Sequence, residues 1–438
     1  MKRLPALLLG TLIGLMPAAA QQRQFRSEII PYETREDSNM RNREGSERYM
    51  PLLPERVVDI GELKAIRCKL QVPQSWTGTD VFVHLENVGA AYTLMLNGQK
   101  AARCEDAYTP AEFEVSRFIV SGANEVLIVL QGSSVPHIQQ DLTLPERYAL
   151  ANSYVTSQRR VGIRDYDVRL RPDSLKRFGV LDLSVMVGNG YNYDEPLTIG
   201  YDIYSPQGQL LDYSVNEVTV RGRSIDTVRF APYIYHTYEN KWADGRAPLY
   251  QLTLYIKVGG ILREYMPMQI GFGQTEVVDG KLTRFDKPLE IRAVRYNAQS
   301  EEVTVRREIA QLKNKGINTL RPDYPQPDWF YEVCDELGMM VVDRAAINAP
   351  DGRQNRRKGG TPSNDPALLE EYLARVKSMY ARSRNHTCVI AYELGGPSGN
   401  GYNMYKAYQW LKSVEKLRPV IYSDAEDEWN SDKIENLN

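Results

Sequence analysis

Short runs of alternating apolar and polar residues dominate residues 57–161. Residues 81–85 carry valine or leucine at every second position, and residues 126–130 form a continuous apolar run. A period of two is that of a β-strand, and Asn97-Gly98 is typical of a hairpin turn. The pattern predicts an all-β, jelly-roll-like sandwich.

The same period continues through residues 162–276. Leu181, Leu183 and Val185 point one way while polar residues between them point the other, and residues 252–258 alternate similarly. Short antiparallel strands over about a hundred residues are typical of an immunoglobulin-like sandwich. The first two-thirds of the chain therefore predict two successive β-domains.

The hydrophobic period changes after residue 277. Helical patterns cover residues 300–316, 329–337, 365–380 and 402–414, the first capped by Ser300, and short apolar strands cover residues 289–294, 317–320, 339–342, 388–392 and 420–422. Strands that alternate with amphipathic helices indicate parallel βα units. Because a closed barrel of this type has eight strands, residues 277–438 predict an incomplete (β/α)8-type barrel with about five strands and four helices.

The first residues predict export. Residues 1–20 contain two basic residues, a short apolar run at 7–16 and three alanines at 18–20, which is typical of a cleaved signal peptide. Residues 21–56 are polar and without periodicity, so we expect a flexible leader. No later apolar run is long enough to span a bilayer. The predicted location is the periplasm, the outer-membrane surface or the exterior.

Composition narrows the function classes. Lysine and arginine number 54 against 56 acidic residues in 438, and this balance argues against nucleic-acid binding. The four histidines are scattered, so we predict no metal site and no cofactor. Cys68 and Cys104 lie in the same predicted domain, where either a disulfide or two buried free thiols would fit.

Several motifs occur in a fixed order along the chain. They include residues 81–98, the sequence KNKGINTLR at 313–321, FYEVCDELG at 330–338, and Arg382–His386 followed by Leu394-Gly395. Together with two sandwiches followed by βα units, they resemble glycoside hydrolase family 2, the β-galactosidase and β-glucuronidase group. The resemblance implies a glycosidase architecture and a carbohydrate ligand.

The expected catalytic groups are where the chain departs from that family. A retaining glycosidase needs a carboxylate nucleophile and a carboxylic acid about 5–5.5 Å apart. The family acid is the Glu of a Leu-Gly-Asn-Glu-Ser-Gly stretch, but here Gly396 replaces the Asn and Pro397 replaces the Glu. The family nucleophile is expected on a seventh strand, beyond the five predicted here. The resemblance thus implies a truncated and catalytically degenerate member.

Four acids fall near the carboxyl ends of predicted strands, where barrel enzymes place catalytic groups. They are Asp323, Asp343, Glu393 and Asp424. One interpretation is a relocated catalytic pair, with Glu393 and Asp343 as its candidates, or a Ca²⁺ site. The other, which we favour, is that these acids cap helices or pair with Arg321, Arg344 and Arg418.

Further residues are candidates for ligand binding. Apart from Asp323 and Asp424, the candidates are Tyr324, Arg344, Tyr392, Arg356 and Arg357. The last two belong to a basic loop that suits an acidic glycan or an anionic surface, or that is simply solvated. Tyr191 and Tyr193 are the tyrosines most expected to be exposed.

Two functional hypotheses follow. The favoured one is an exported, non-catalytic relative of this family that binds carbohydrate or assembles with an envelope protein or a second copy covering the partial barrel. The alternative is an active retaining β-glycosidase that uses relocated carboxylates. Aryl-glycoside turnover distinguishes the two.

Overall fold

Two facing antiparallel sheets form the first domain of the computed structural model, which describes residues 23–131, 138–140, 150–243, 245–350 and 361–437. Its strands are β1 Tyr49–Pro51, β2 Pro54–Ile60, β3 Leu63–Val72, β4 Asp80–Leu85, β5 Ala91–Leu96, β6 Gln99–Cys104, β7 Ala111–Glu114, β8 Gly122–Gln131 and β9 Tyr154–Gln158. The strand orders are β1-β9-β4-β7 and β2-β3-β8-β5-β6. The predicted hairpin is confirmed, since Asn97 and Gly98 join β5 to β6 with φ of 49° and 77°.

A second sandwich follows directly. Its strands are β10 Val161–Pro172, β11 Gly179–Asn189, β12 Glu195–Tyr204, β13 Leu210–Val220, β14 Ser224–Phe230, β15 Tyr233–Ile234, β16 Leu249–Val258 and β17 Ile261–Gly271. One sheet has the order β10-β11-β14, with β15 also paired to β11, and the other β13-β12-β16-β17. Leu181, Leu183 and Val185 all point into its core, as their spacing predicts.

A small three-stranded sheet leads into a parallel sheet. The small sheet contains β18 Glu276–Val278, β19 Lys281–Arg284 and β20 Lys287–Pro288. The parallel sheet runs β21 Ala293–Arg295, β22 Thr319–Arg321, β23 Met340–Arg344, β24 Val389–Glu393 and β25 Val420–Ile421, and its helices are α2 Glu302–Asn314, α3 Asp328–Leu337, α4 Leu369–Ser383 and α5 Tyr402–Val414. This confirms the predicted fold class, two β-sandwiches and a partial α/β barrel.

The expectation of a flexible leader is wrong for residues 23–56. Residues 35–40 form a helix, α1 Arg35–Met40, and β1 pairs with β9. Ile29 belongs to the core of the second sandwich, and Tyr32 shares backbone hydrogen bonds with Tyr265. The segment is ordered because a few apolar side chains, too sparse to give a period, insert into neighbouring domains. The first sandwich also begins before residue 57, since it includes β1 and the first three residues of β2.

The structure corrects the predicted helix cap at Ser300 and decides between the two alternatives for Cys68 and Cys104. Ser300 does not cap α2: Glu301 is the residue before the helix and makes no side-chain cap. Cys68 and Cys104 are free and buried, so the disulfide alternative is not realised. The proposed signal peptide lies outside the described residues. No described helix is long and apolar enough to cross a membrane.

Candidate functional site

The carboxyl ends of the parallel strands gather the acids that the sequence singles out. Asp323 follows β22, Asp343 is the next-to-last residue of β23, Glu393 ends β24 and Asp424 follows β25. In parallel strands these ends share one edge, so the sequence prediction of a common edge agrees with the strand register.

Two arginines occupy the centre of this edge. Arg344 Nη1 lies 2.9 Å from Asp323 Oδ1, and its Nε lies 3.7 Å from Glu393 Oε2. Arg321 Nη2 approaches Glu393 Oε2 at 3.6 Å, and Arg295 also pairs with Asp323. The edge is therefore a network of alternating charges, in which each of the two carboxylates contacts two guanidinium groups.

Asp343 lies beneath the surface of the edge. Its side chain is fully buried, and its Oδ1 accepts hydrogen bonds from the Tyr331 hydroxyl at 2.9 Å and the Arg344 backbone N–H at 3.0 Å. Burial raises the pKa of Asp343 to about 6. Tyr392, another predicted binding residue, is also fully buried and stacks against Arg418, so it does not face the edge.

The loop after β24 carries the residue that replaces the expected acid. Gly396 N–H donates to the Ile347 carbonyl at 2.7 Å, and the Pro397 carbonyl accepts from Ala349 N–H at 3.0 Å. A Cβ on Gly396 would clash with Asn348 Oδ1 and lie 2.6 Å from Arg344 Nη2. The space that an asparagine would need at this position is therefore filled by Asn348 and Arg344.

Asp424 hydrogen-bonds to the far side of that loop. Its Oδ2 accepts hydrogen bonds from the backbone N–H groups of Ser398 and Gly399, both at 2.8 Å. The predicted pairing of these acids with Arg418 is wrong, because Arg418 pairs with Glu415 instead. Asp424 is a loop anchor, with its carboxylate directed at backbone donors.

The first sandwich reaches into this site. Asn348 N–H donates to the Ile138 carbonyl at 2.8 Å, and Asn348 Nδ2 donates to the Gln140 carbonyl at 2.7 Å. Gln139 Nε2 also donates to the Ala346 carbonyl at 2.9 Å. The sequence analysis missed Asn348, because the residue has no motif and acquires its position only when the sandwich and the sheet meet.

A polar and aromatic cleft lies beside the edge, between the first sandwich and the parallel sheet. Tyr108 from the sandwich and Tyr324 from the sheet meet with ring centroids 5.3 Å apart. Trp329, Asn87 and Glu301 also line the cleft, whose volume is about 170 Å³. Tyr324 was predicted as a binding residue, whereas Tyr108 and Trp329 were missed.

Some predicted features are not brought to this site. Arg356 and Arg357 lie outside the described residues. The rings of Tyr191 and Tyr193 stack with their centroids 5.1 Å apart on a loop of the second sandwich. Both side chains are exposed, as the sequence predicted. Within the described ranges, no three side chains of histidine, cysteine, aspartate or glutamate converge as metal ligands would.

Two family models match the chain. The model of the glycosyl hydrolases family 2 sugar binding domain matches residues 61–151, and that of the family 2 TIM barrel domain matches residues 295–437. Among curated relatives, a β-galactosidase of Pectobacterium atrosepticum is 29% identical over 356 residues, covering 78% of this chain and 34% of that protein. A β-galactosidase of Lactococcus lactis is 28% identical over 405 residues, covering 86% and 37%.

Solved structures share the same fold. A Bacteroides uniformis β-glucuronidase superposes with a TM-score of 0.69 at 16% identity, covering 82% of this chain and 46% of the other. A Parabacteroides merdae β-glucuronidase gives 0.68 at 15% identity, covering 83% and 48%. The chain spans about a third of the length of the curated relatives. On its two matched domains and this shared fold, the chain is a member of glycoside hydrolase family 2.

Proposed function

We propose that this chain binds carbohydrate and does not hydrolyse glycosidic bonds. The observation that carries the proposal is Pro397, at the position that the resemblance assigns to the proton donor. Proline has no acidic proton and no backbone N–H. A positioned general acid contributes about 10²–10⁴-fold to such a reaction. Replacing it by proline removes the group that would protonate the leaving oxygen.

The alternative, a relocated pair of carboxylates, has less support. Asp343 has the raised pKa that a general acid needs, but its side chain is fully buried and already accepts two hydrogen bonds. Glu393 is only 6% exposed, and its carboxylate lies between the guanidinium groups of Arg321 and Arg344. Neither carboxyl group is therefore open to a sugar.

Several observations support carbohydrate as the ligand. The first sandwich matches a model named for sugar binding, and the curated relatives are named β-galactosidases. Tyr108 is half-buried and supplies an aromatic ring in the cleft beside the edge, where an apolar sugar face can stack, and the buried Tyr324 packs against that ring. The arginine–carboxylate network supplies donors and acceptors suited to hydroxyl groups.

The non-hydrolysing part of the proposal is tested with aryl β-galactosides and β-glucuronides. We expect the purified chain to release no phenol above the buffer rate. Turnover that disappears in Glu393→Gln but persists in Glu62→Gln would favour the relocated-carboxylate alternative. Glu62 is a suitable control because it is exposed in the first sandwich, away from the edge.

The binding part is tested by calorimetry with soluble galactosides and glucuronides. Tyr108 is half-buried, so Tyr108→Ala should fold and weaken binding by up to about tenfold, the value of one aromatic stacking contact. Tyr213→Ala in the second sandwich is the control, because Tyr213 is exposed and remote from the cleft. Absence of binding to every galactoside and glucuronide would remove the basis of the proposal.

Export and partner binding are also proposals. The basic start and apolar run of residues 1–20 support export, which a fusion to a periplasm-dependent reporter tests. An envelope protein or a second copy could cover the edge strand β21, whose Ala293 and Arg295 are exposed. Light scattering on the purified chain tests self-association, and a monomer at all concentrations would contradict it.

A further inference from the structure

A large cavity lies at the opposite end of the parallel strands from the candidate site. It has a volume of about 660 Å³. Its walls are formed by the loops before β22 and β23, by the small three-stranded sheet and by residues 241–246 of the second sandwich. Within that last stretch, Asp244 is not among the described residues. The cavity therefore lies where the second sandwich, the small sheet and the parallel sheet meet.

The walls of this cavity are strongly basic. Its cationic residues are Lys241, Arg246, Arg284, Lys287, Arg292 and Lys313, and Glu290 is the acid among its described lining residues. Glu290 pairs with Arg292 at 3.4 Å, and its side chain is 88% exposed. Among the described lining residues, cations therefore outnumber acids by six to one.

Four of these cations have no acidic partner in the described part of the chain. Lys313 donates to the backbone carbonyls of Gly245 and Leu337, and Lys241 lies over the rings of Tyr238 and Phe285. Arg246 is exposed and forms no ion pair with a described acid. The fourth cation is Arg284, which is buried.

Arg284 is the most informative of the four. It is only 4% exposed, and its guanidinium lies over the Trp242 ring at 4.6 Å. Its Nη atoms donate to Thr275 Oγ1 at 2.9 Å and to the carbonyls of Trp242 and Thr387, while its Nε has no hydrogen-bond partner. A buried charge that forms no direct ion pair is costly, and burial lowers the pKa of Arg284 to about 10 although the charge of the nearby Asp335 opposes this shift.

We propose that this cavity binds a tetrahedral oxyanion, either phosphate or sulfate, as the free ion or as an ester on a sugar. Guanidinium groups match the oxygens of such anions geometrically, and lysine ammonium groups add charge without a geometric demand. An anion here would lie beside Lys241, Arg246 and Arg292 and would compensate the positive charge of the walls, including that of the buried Arg284. The site is separate from the proposed carbohydrate edge, so either proposal can fail alone.

Calorimetry on the full chain at constant ionic strength tests the site. The probes are inorganic phosphate, inorganic sulfate and galactose 6-sulfate, with galactose as the neutral control. Lys241→Gln and Arg246→Gln should each weaken anion binding by about tenfold, the loss of one charge-assisted contact. Lys257→Gln is the matched control, because Lys257 is a cation of the second sandwich outside the cavity.

The outcomes are distinct. Binding of an inorganic anion that weakens in Lys241→Gln and Arg246→Gln, and not in Lys257→Gln, supports a free-ion site. Tighter binding of galactose 6-sulfate than of sulfate, with the same pattern of variants, supports the sugar ester. Absence of binding to all three anions, or an equal loss in Lys257→Gln, would overturn the proposal.

Discussion

Gly396 lies at a point of the candidate site that leaves no room for a side chain. A Cβ at this position would clash with Asn348 Oδ1 and lie 2.6 Å from Arg344 Nη2. We expect Gly396→Ala to lower the free energy of unfolding by about 1–3 kcal/mol, the usual cost of overpacking. Chemical denaturation measures the change.

Gly45 provides the matched control for that substitution. A Cβ on Gly45 would come no closer than 4.0 Å to Asn42 Cβ, so Gly45→Ala should be nearly neutral. An unchanged unfolding free energy in Gly396→Ala would mean that the loop does not hold Asn348 and Arg344 as described.

Asp343 should make stability depend on pH. Burial raises its pKa to about 6 in the folded state, whereas an unfolded aspartate ionises near pH 4. The folded state therefore binds the proton more tightly, and its stability falls as pH rises between about 4 and 6. At about 1.4 kcal/mol for each pH unit, the loss is about 3 kcal/mol.

The Asp343→Asn variant isolates that contribution. Its side chain can still accept from Tyr331 and from the Arg344 backbone, but it does not titrate. Relative to the unsubstituted chain, the variant should gain about 3 kcal/mol between pH 4 and 7 in urea denaturation. Parallel pH profiles for the two proteins would show that Asp343 ionises normally.

At the residue scale, the sequence located the acids and named Arg321 and Arg344 among their partners, but it did not locate Asn348. The strand pattern placed Asp323 and Glu393 at one edge, because carboxyl ends of parallel strands coincide. It did not predict that Asn348 would fill the space at Gly396, since that contact depends on residues 138–140 of another domain. Contacts between domains leave no periodic signal.

At the scale of elements, the segment 23–51 connects all three domains. Arg26 Nε pairs with Glu112 of β7 at 2.5 Å, and Ser27 N–H donates to Asp165 of β10 at 3.0 Å. Arg41 pairs with Glu332 of α3 at 2.9 Å. The hydropathy pattern predicted α5 with the bounds that the structure shows. It did not predict structure for segment 23–51, because that segment is ordered by isolated long-range contacts.

Ile29 is the direct test of that role. Its side chain is 2% exposed in the core of the second sandwich, so Ile29→Ala should cost about 2–5 kcal/mol. Met40→Ala in the same segment is the control, because Met40 is exposed and should change stability by less than about 0.5 kcal/mol. Equal effects from both substitutions would indicate a loosely attached segment.

At the scale of the whole molecule, the end of α4 anchors both sandwiches. Arg382 pairs with Asp328 of α3 at 2.9 Å and with Glu86 of the first sandwich, and Arg384 pairs with Asp165 of the second at 2.5 Å. This stretch is one of the motifs that carry the resemblance to the family. The structure shows that it also fixes the domains around the parallel sheet.

Replacing Arg382 should lower the free energy of unfolding of the whole chain. Its side chain and that of Glu86 are both at least 95% buried, so Arg382→Met leaves uncompensated buried acids and should cost about 3–5 kcal/mol. Lys281→Met, which breaks the exposed pair with Glu435, should cost less than about 1 kcal/mol. Similar losses from the two variants in denaturation would argue against a buried junction.

The most direct test of the central claim is a proton NMR experiment on the chain mixed with methyl β-galactoside and methyl β-glucuronide. Saturation transfer reports binding, and anomeric signals of the free sugar report hydrolysis in the same sample. The account predicts transfer to the ring protons of at least one glycoside and unchanged anomeric signals over many hours. Accumulating free sugar, or no transfer to either glycoside, would contradict it.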